Sequence, residues 1–280
     1  MKKDRNKIFS WKKQIFFFFK DPYYLFSLLG HEQTKIFLLF DNYIPKIIKI
    51  FKKFRKFYFK GKNICCPCCG GQYKKFLPTG AIFRTSAYCA GCGSLERHRL
   101  MFLYLKNKTQ FFTKHLKVLH IAPERFVQSV FLKMTNLEYI SIDLESPFAM
   151  IKMNIKNLLF ENNQFDVIIC SHVLEHVDDD IKALKEMNRV LKLDGWAIIQ
   201  SPVDYNREKT FEDPNITSLE ERRKFFGEVN HVRIYGKDYE KRLRNAGFKV
   251  FLDNYVKTLS EKQVKRFGLD KSEIIYFCVK

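Results

Sequence analysis

Six of the eight cysteines in this chain of 280 residues fall between positions 65 and 92. ICCPCCGG, residues 64–71, packs four into five positions, and YCAGCGS, residues 88–94, supplies two more. Cys66 and Cys69 form one C-x-x-C, Cys89 and Cys92 a second, and each is followed directly by glycine. That glycine lets the chain turn sharply enough for two sulfurs and nearby backbone amides to face one ion. Nineteen residues separate the pairs, within the spacing of a four-thiolate zinc site. Cys65 and Cys68 have the same internal spacing and are the alternative first pair, although proline and glycine sit better around Cys66 and Cys69. A redox dithiol is the rival chemistry, and two pairs with matched glycines favour zinc. A closed four-cysteine site is structural, stapling a segment too small to fold on its own core. Cys170 and Cys278 lie in apolar runs and read as ordinary buried thiols.

The reducing compartment this implies agrees with the rest of the sequence. IFFFF at 15–19 is too short for a signal core and no run of eighteen apolar residues occurs, so a cytoplasmic or peripheral protein is expected. The net charge of +20 predicts attraction to nucleic acid, an acidic membrane or a phosphorylated substrate, though a Lys-, Ile-, Asn- and Phe-rich composition also reflects an AT-rich genome. Residues 1–62 hold sixteen Lys or Arg against four Asp or Glu. Within IPKIIKIFKKFRKFYFKGK, residues 44–62, Ile47, Ile48, Phe51, Phe54 and Tyr58 share a helical face opposite six lysines. Such a basic amphipathic helix suits an anionic membrane interface; packing on the protein or nucleic-acid contact are the alternatives.

Three segments are expected: the basic helical one (1–62), a zinc ribbon with a linking helix (63–108), and an α/β domain (115–280). KVLHIA (117–122), EYISID (138–143), FDVIIC (165–170) and WAIIQSPV (196–203) suit buried parallel strands. DDIKALKEMNRVLK (179–192) has helical periodicity between them. Alternating strands and helices predict a Rossmann-like doubly wound sheet. KVFLDNY (249–255) and EIIYFCVK (273–280) are expected to pair antiparallel at its edge.

FDVIICSHVLEHVDDDIKALKEMNRVLKLDGWAIIQSPV, residues 165–203, resembles the class I S-adenosylmethionine-dependent methyltransferases, in the small-molecule, methyltransferase type 11-like branch. It has that branch's strand, L-E-H loop, helix and R-V-L-K-x-x-G turn. With the cysteines and GSLERHRLMFLYL (93–105), the chain is similar to a zinc-ribbon subgroup linked to surface-glycan biosynthesis. The resemblance spans about 63–255 and implies S-adenosyl-L-methionine as cofactor beside structural Zn2+. In VLHIAPER the family's acid and glycine-rich turn are replaced by His120, Ala122, Pro123 and Glu124. Glu124 is placed to pair with the cofactor's ammonium group, a helix N-cap role being the alternative. Asp143, twenty-three residues after His120, is expected to accept the ribose hydroxyls. Asn154 stands where the family has the acid that accepts from adenine, and an amide oxygen also accepts. Ser171 joins this set at the carboxyl end of a strand.

Methyl transfer needs in-line placement of the nucleophile, and a hydroxyl nucleophile gains from a histidine base. His172, His176 and His231 are the candidates, with packing roles as the alternative. His172, Glu175 and His176 also have the i, i+3, i+4 spacing of a divalent-metal site, should that loop be helical. In EERRKFFGEVNHVRIYGKDYEKRLRNAGF (220–248), Arg222, Arg223, His231, Arg233 and Tyr235 are expected to read an anionic or polyhydroxylated acceptor. The leading expectation is O-methylation of a sugar or phosphate-containing glycan precursor, small or lipid-linked, at the inner membrane face. A ribosomal-RNA base methyltransferase and a non-catalytic scaffold are the alternatives; nucleic acid ranks lower because CSHVLEH replaces an N/D-P-P-Y/F motif.

Overall fold

A computed structural model describes Ile50, residues 53–79 and residues 84–280. Most of the basic segment expected over 1–62 lies outside the described residues; residues 53–58 are helical. No helix of the described residues is long and apolar enough to cross a membrane. The chain divides into two compact units, Met1–Gly93 and Ser94–Lys280.

In the first unit, strand β1 (Lys60–Cys65) pairs antiparallel with β2 (Gln72–Tyr73), and β3 (Leu77–Thr79) pairs antiparallel with β4 (Arg84–Tyr88). The first Cys pair sits in the turn between β1 and β2 and the second follows β4. Among the described residues of this unit, Tyr73, Phe76 and Ala87 are buried beside the cysteines.

The second unit begins with helix α1 (Glu96–Lys108), which therefore belongs with the sheet and not with the cysteine ribbon to which the sequence reading joined it. The main strands follow as β5 (Leu116–Ile121), β6 (Leu137–Asp143), β7 (Ile151–Lys152), β8 (Phe165–Ser171) and β9 (Leu191–Gln200). Helix α2 (Arg125–Phe131) follows β5 and α3 (Asp180–Val190) follows β8. An insertion after β9 carries β10 (Phe211–Glu212), α4 (Leu219–Phe226) and β11 (Arg233–Ile234). Helix α5 (Tyr239–Asn245), β12 (Lys249–Asp253), α6 (Glu261–Phe267) and β13 (Ile275–Val279) complete the unit. The seven-stranded sheet has the order β12-β13-β9-β8-β5-β6-β7, with β5 to β9 parallel and β13 antiparallel to both its neighbours.

The continuous apolar runs are explained by burial on both faces of the sheet. Ile168 and Cys170 point into a cluster with Leu184 and Met187 of α3 and Leu243 of α5. Val167 and Ile169 point the other way, toward Leu100 and Tyr104 of α1 and Val127 of α2. Asp179 caps α3, its side chain accepting from the Lys182 amide at 2.9 Å.

Arg99 joins the unit's two ends. Fully buried on α1, it donates to the carbonyls of Ser94 (2.8 Å), Phe267 (2.7 Å) and Gly268 (2.5 Å). Charge-assisted bonds away from water are the strong kind, and deleting the donor leaves buried carbonyls unmet. Arg99→Ala is expected to destabilise the second unit by about 3 kcal/mol, measured as a lower urea midpoint.

Candidate functional site

Two constellations carry chemistry. In the first unit, the Sγ atoms of Cys66, Cys69, Cys89 and Cys92 all lie within 4.8 Å of one another. Cys66 to Cys92 is 3.6 Å and Cys69 to Cys89 is 3.9 Å. These are far longer than a disulfide and match the edge of about 3.8 Å that a tetrahedron with Zn–S near 2.3 Å requires. Gly70 and Gly93 take left-handed φ of 66° and 84° and donate back to the carbonyls of Cys66 (2.8 Å) and Cys89 (3.0 Å). The turn that the glycines foreshadowed is thus the one that gathers the sulfurs. Cys65 and Cys68 stay outside the cluster. Hydrogen bonding with Cys66 pushes the Cys92 thiol far up and pulls Cys69 far down. A divalent cation resolves that imbalance by letting all four ionise.

The second constellation lies at the carboxyl edge of the sheet, where open α/β folds bind ligands. A cavity of about 360 Å³ is walled by Ile121, Ala122, Ile142, Leu144, Met153 and Ile155, with Asp143, Asn154 and His176 among its polar lining. Asp143 closes β6; its Oδ1 accepts from the amides of Glu145 (2.8 Å) and Ser146 (2.7 Å), and Oδ2 has no hydrogen bond among the described residues. Asn154 Oδ1 accepts from the Lys156 amide at 2.9 Å, keeping one lone pair for a ligand. Ala122 has a φ of 48° and still donates to Ile142 O at 2.8 Å, so it does in this loop what a glycine does elsewhere. Ser171 ends β8 almost fully buried and does not line the cavity.

His120 requires correction as a cofactor contact. It is wholly buried in β5, its Nδ1 2.9 Å from the Tyr139 hydroxyl and its Nε2 3.6 Å from Glu124 Oε2. Glu124 is the N-cap residue of α2, its carbonyl accepting from the Gln128 amide at 3.0 Å, but its side chain makes no cap bond.

The loop after β8 holds the histidines. His172 is left-handed (φ 57°), its amide donating to Gln200 O at 2.8 Å and its Nδ1 3.3 Å from Glu175 Oε1. Glu175 is 1% exposed and its Oε2 accepts from Ser201 Oγ at 3.1 Å. Burial works against ionisation, yet the hydrogen bond and charge of His172 hold the carboxyl below its ordinary range. His176 donates through Nδ1–H to the Asn230 carbonyl, 3.0 Å away, and packs edge-on against His231. Burial lowers the pKa of His231. The metal spacing read along the sequence does not survive: Leu174–His176 is a short 3-10 turn, and the metal-capable group is Glu175, His176 and His231, without His172.

Arg233 and Tyr235 also need correction, because both are buried and already engaged. Arg233 donates to the carbonyls of Leu174 (2.7 Å) and Asp178 (2.7 Å), to that of Val177, and to Glu212 (2.8 Å). Tyr235 donates to Asp180 at 2.8 Å, and Arg242 closes on the same carboxylate at 2.7 Å. These residues fix the histidine loop to the insertion and do not face an acceptor. Arg223 is exposed on α4. His98, which sequence reading passed over inside GSLERHRL, lies 2.8 Å from Glu124; flanked by Arg97 and Arg99, it carried no signal that set it apart.

Residues 127–199 match the family model of a methyltransferase domain, beginning just past the altered VLHIAPER loop. The matched stretch runs from α2 to β9 of the sheet. An uncharacterized protein of Methanocaldococcus jannaschii is 31% identical over 121 residues, 42% of this chain and 47% of that protein, so the chain spans about half its length. A SAM-dependent methyltransferase from Archaeoglobus fulgidus is 18% identical, with 65% of this chain and 93% of that one covered at a TM-score of 0.43. The 1,6-didemethyltoxoflavin-N1-methyltransferase of Burkholderia thailandensis, solved with S-adenosylhomocysteine, is 14% identical, covering 60% and 72% at 0.42.

For the cysteine cluster, Cys66→Ser and Cys89→Ser are each expected to abolish retention of zinc through dialysis, read by elemental analysis. Cys65→Ser and Cys68→Ser are expected to keep it.

Proposed function

We propose that the chain is an S-adenosylmethionine-dependent methyltransferase acting on an oxygen of a sugar- or phosphate-containing glycan precursor. The observation that carries the reading is Asp143 at the end of β6, opening on an apolar-walled cavity with Asn154. Its Oδ2 suits the vicinal hydroxyls of a ribose, and Leu144, Met153 and Ile155 suit the faces of a purine. The cofactor, when bound, supplies an electrophilic methyl carbon on a sulfonium.

The chain's own contribution is positioning and proton handling. Of the three candidate histidines, His172 is the one with a buried carboxylate behind its ring. Glu175 favours the proton on Nδ1, which leaves Nε2 to take the proton of an acceptor hydroxyl. The left-handed backbone that presents this ring is the kind of strain held at working sites. Arg233, by binding three carbonyls of the loop, keeps Glu175 and His176 in place. The four-cysteine cluster, closed by its own ligands, serves as a structural zinc ribbon.

The acceptor class is supported by the resemblance over about 63–255, by the net charge of +20 and by exposed Arg223 and Lys224 on α4. Contact of residues 1–62 with an anionic membrane would bring the site to lipid-linked precursors.

Calorimetric titration with S-adenosylhomocysteine tests the cofactor: micromolar binding is expected, weakened at least tenfold in Asp143→Ala. Absence of binding in the wild type would defeat the proposal. For the acceptor, tritiated methyl is expected in a lipid-linked saccharide extract and not in total RNA, with transfer reduced at least about a hundredfold in His172→Ala.

A further inference from the structure

The buried group that this chemistry leaves unused is the trio His98, Glu124 and His120. His98 is 4% exposed and stands on α1, outside the segment that matches the methyltransferase-domain model. Its Nδ1 accepts from the Leu95 amide at 3.1 Å, so the neutral ring carries its proton on Nε2. That nitrogen lies 2.8 Å from Glu124 Oε1. The ring packs against Phe126 with centroids 5.1 Å apart, which fixes its plane. Glu124 Oε2 is shut off from solvent and has no hydrogen-bond partner among the described residues; His120 Nε2 stands off at 3.6 Å. An ionised oxygen in that state is expensive unless a cation completes it.

The location says which cation. Glu124 lies two residues past Ala122, which lines the cavity, at the carboxyl end of β5. Position 120 in β5 holds a buried histidine, and the carboxylate stands four residues further on, outside the strand. There it cannot be steadied by strand backbone and needs a side chain to aim it.

We propose that His98 is a positioning residue of the cofactor site, holding the Glu124 carboxylate ionised and directed at the ammonium group of the cofactor's amino-acid moiety. The inference rests on the cofactor reading given above. It makes α1 part of the ligand site although none of its side chains lines the cavity. Removal of His98 frees Glu124 to turn into solvent, and the cofactor loses its ammonium partner while keeping its adenosine contacts.

The test compares two ligands by calorimetry on the full-length protein. S-adenosylhomocysteine carries the amino-acid moiety; 5′-methylthioadenosine has the same adenosine and thioether without it. The wild type is expected to prefer S-adenosylhomocysteine, with His98→Ala and Glu124→Gln each weakening it by about tenfold or more. Neither change should alter binding of 5′-methylthioadenosine. His98→Gln, which keeps an N–H donor, is expected to restore most of the preference. Should His98→Ala melt early, the Glu124→Gln and His98→Gln pair decides alone. A Glu124→Gln protein with the wild-type preference, or a His98→Ala protein that loses both ligands equally while folded, would overturn the inference. A wild type that binds both ligands equally overturns it and leaves the cofactor reading standing. One that binds neither defeats both.

Discussion

A carboxylate taken out of water must find its counter-charge or its donors within the fold, and three of them set the layout of this sheet's carboxyl edge. Asp180 is met by Arg242 and Tyr235, with Arg233 3.9 Å away, and that knot ties the insertion to the start of α3. Glu175 is met by Ser201 and His172, which fixes the short turn after β8. Glu124 is met by His98, which draws in the first helix of the unit. The pairings with Arg242, Tyr235, Ser201 and His98 join segments distant in the sequence, so the loops bordering the cavity are held by electrostatics as well as by packing. In a chain with twenty excess positive charges, the site is where acid is concentrated.

The strands and their parallel order were legible because a buried strand has to be apolar along its length. FDVIIC and KVLHIA are, and they became β8 and β5. The antiparallel edge was legible too, from two late apolar runs separated by a polar helix. β7 was not: two residues paired to β6 leave no periodicity to read. The cysteine ligands could be chosen from their glycines, since backbone sign is a local property of the chain. The buried fates of Arg233 and Tyr235 could not, because a charged residue in an insertion looks the same whether it meets solvent or a carboxylate from another segment. His98 was hidden for the same reason. Its role is defined by a residue twenty-six positions away.

The two units solve the problem of holding together differently. The second buries two apolar layers against one sheet, with Arg99 tying its two ends. The first has hairpins of two to six residues around Tyr73, and its sulfurs are better organised than its core. Its tightest packing is local to the ligands: a methyl on Gly91 would come within 1.9 Å of the Tyr73 hydroxyl, and one on Gly71 within 2.2 Å. The tyrosine ring therefore fills the space that both knuckles leave, and it anchors them even before an ion is considered.

Ala122 bears on how such a loop evolves. An L-residue held left-handed costs about 1–2 kcal/mol, while replacing glycine by alanine narrows the unfolded ensemble and returns about 0.4–1 kcal/mol. At a left-handed position the strain exceeds that gain, so the alanine is held there at a net cost in folding free energy. What it gives up is clearance. The methyl projects where a glycine backbone would let a ligand settle closer, and a loop that cannot use its amides at short range has to reach with a longer side chain. The methyl at position 122 and the carboxylate at position 124 are, on this view, two halves of one arrangement, the first setting the distance that the second has to span.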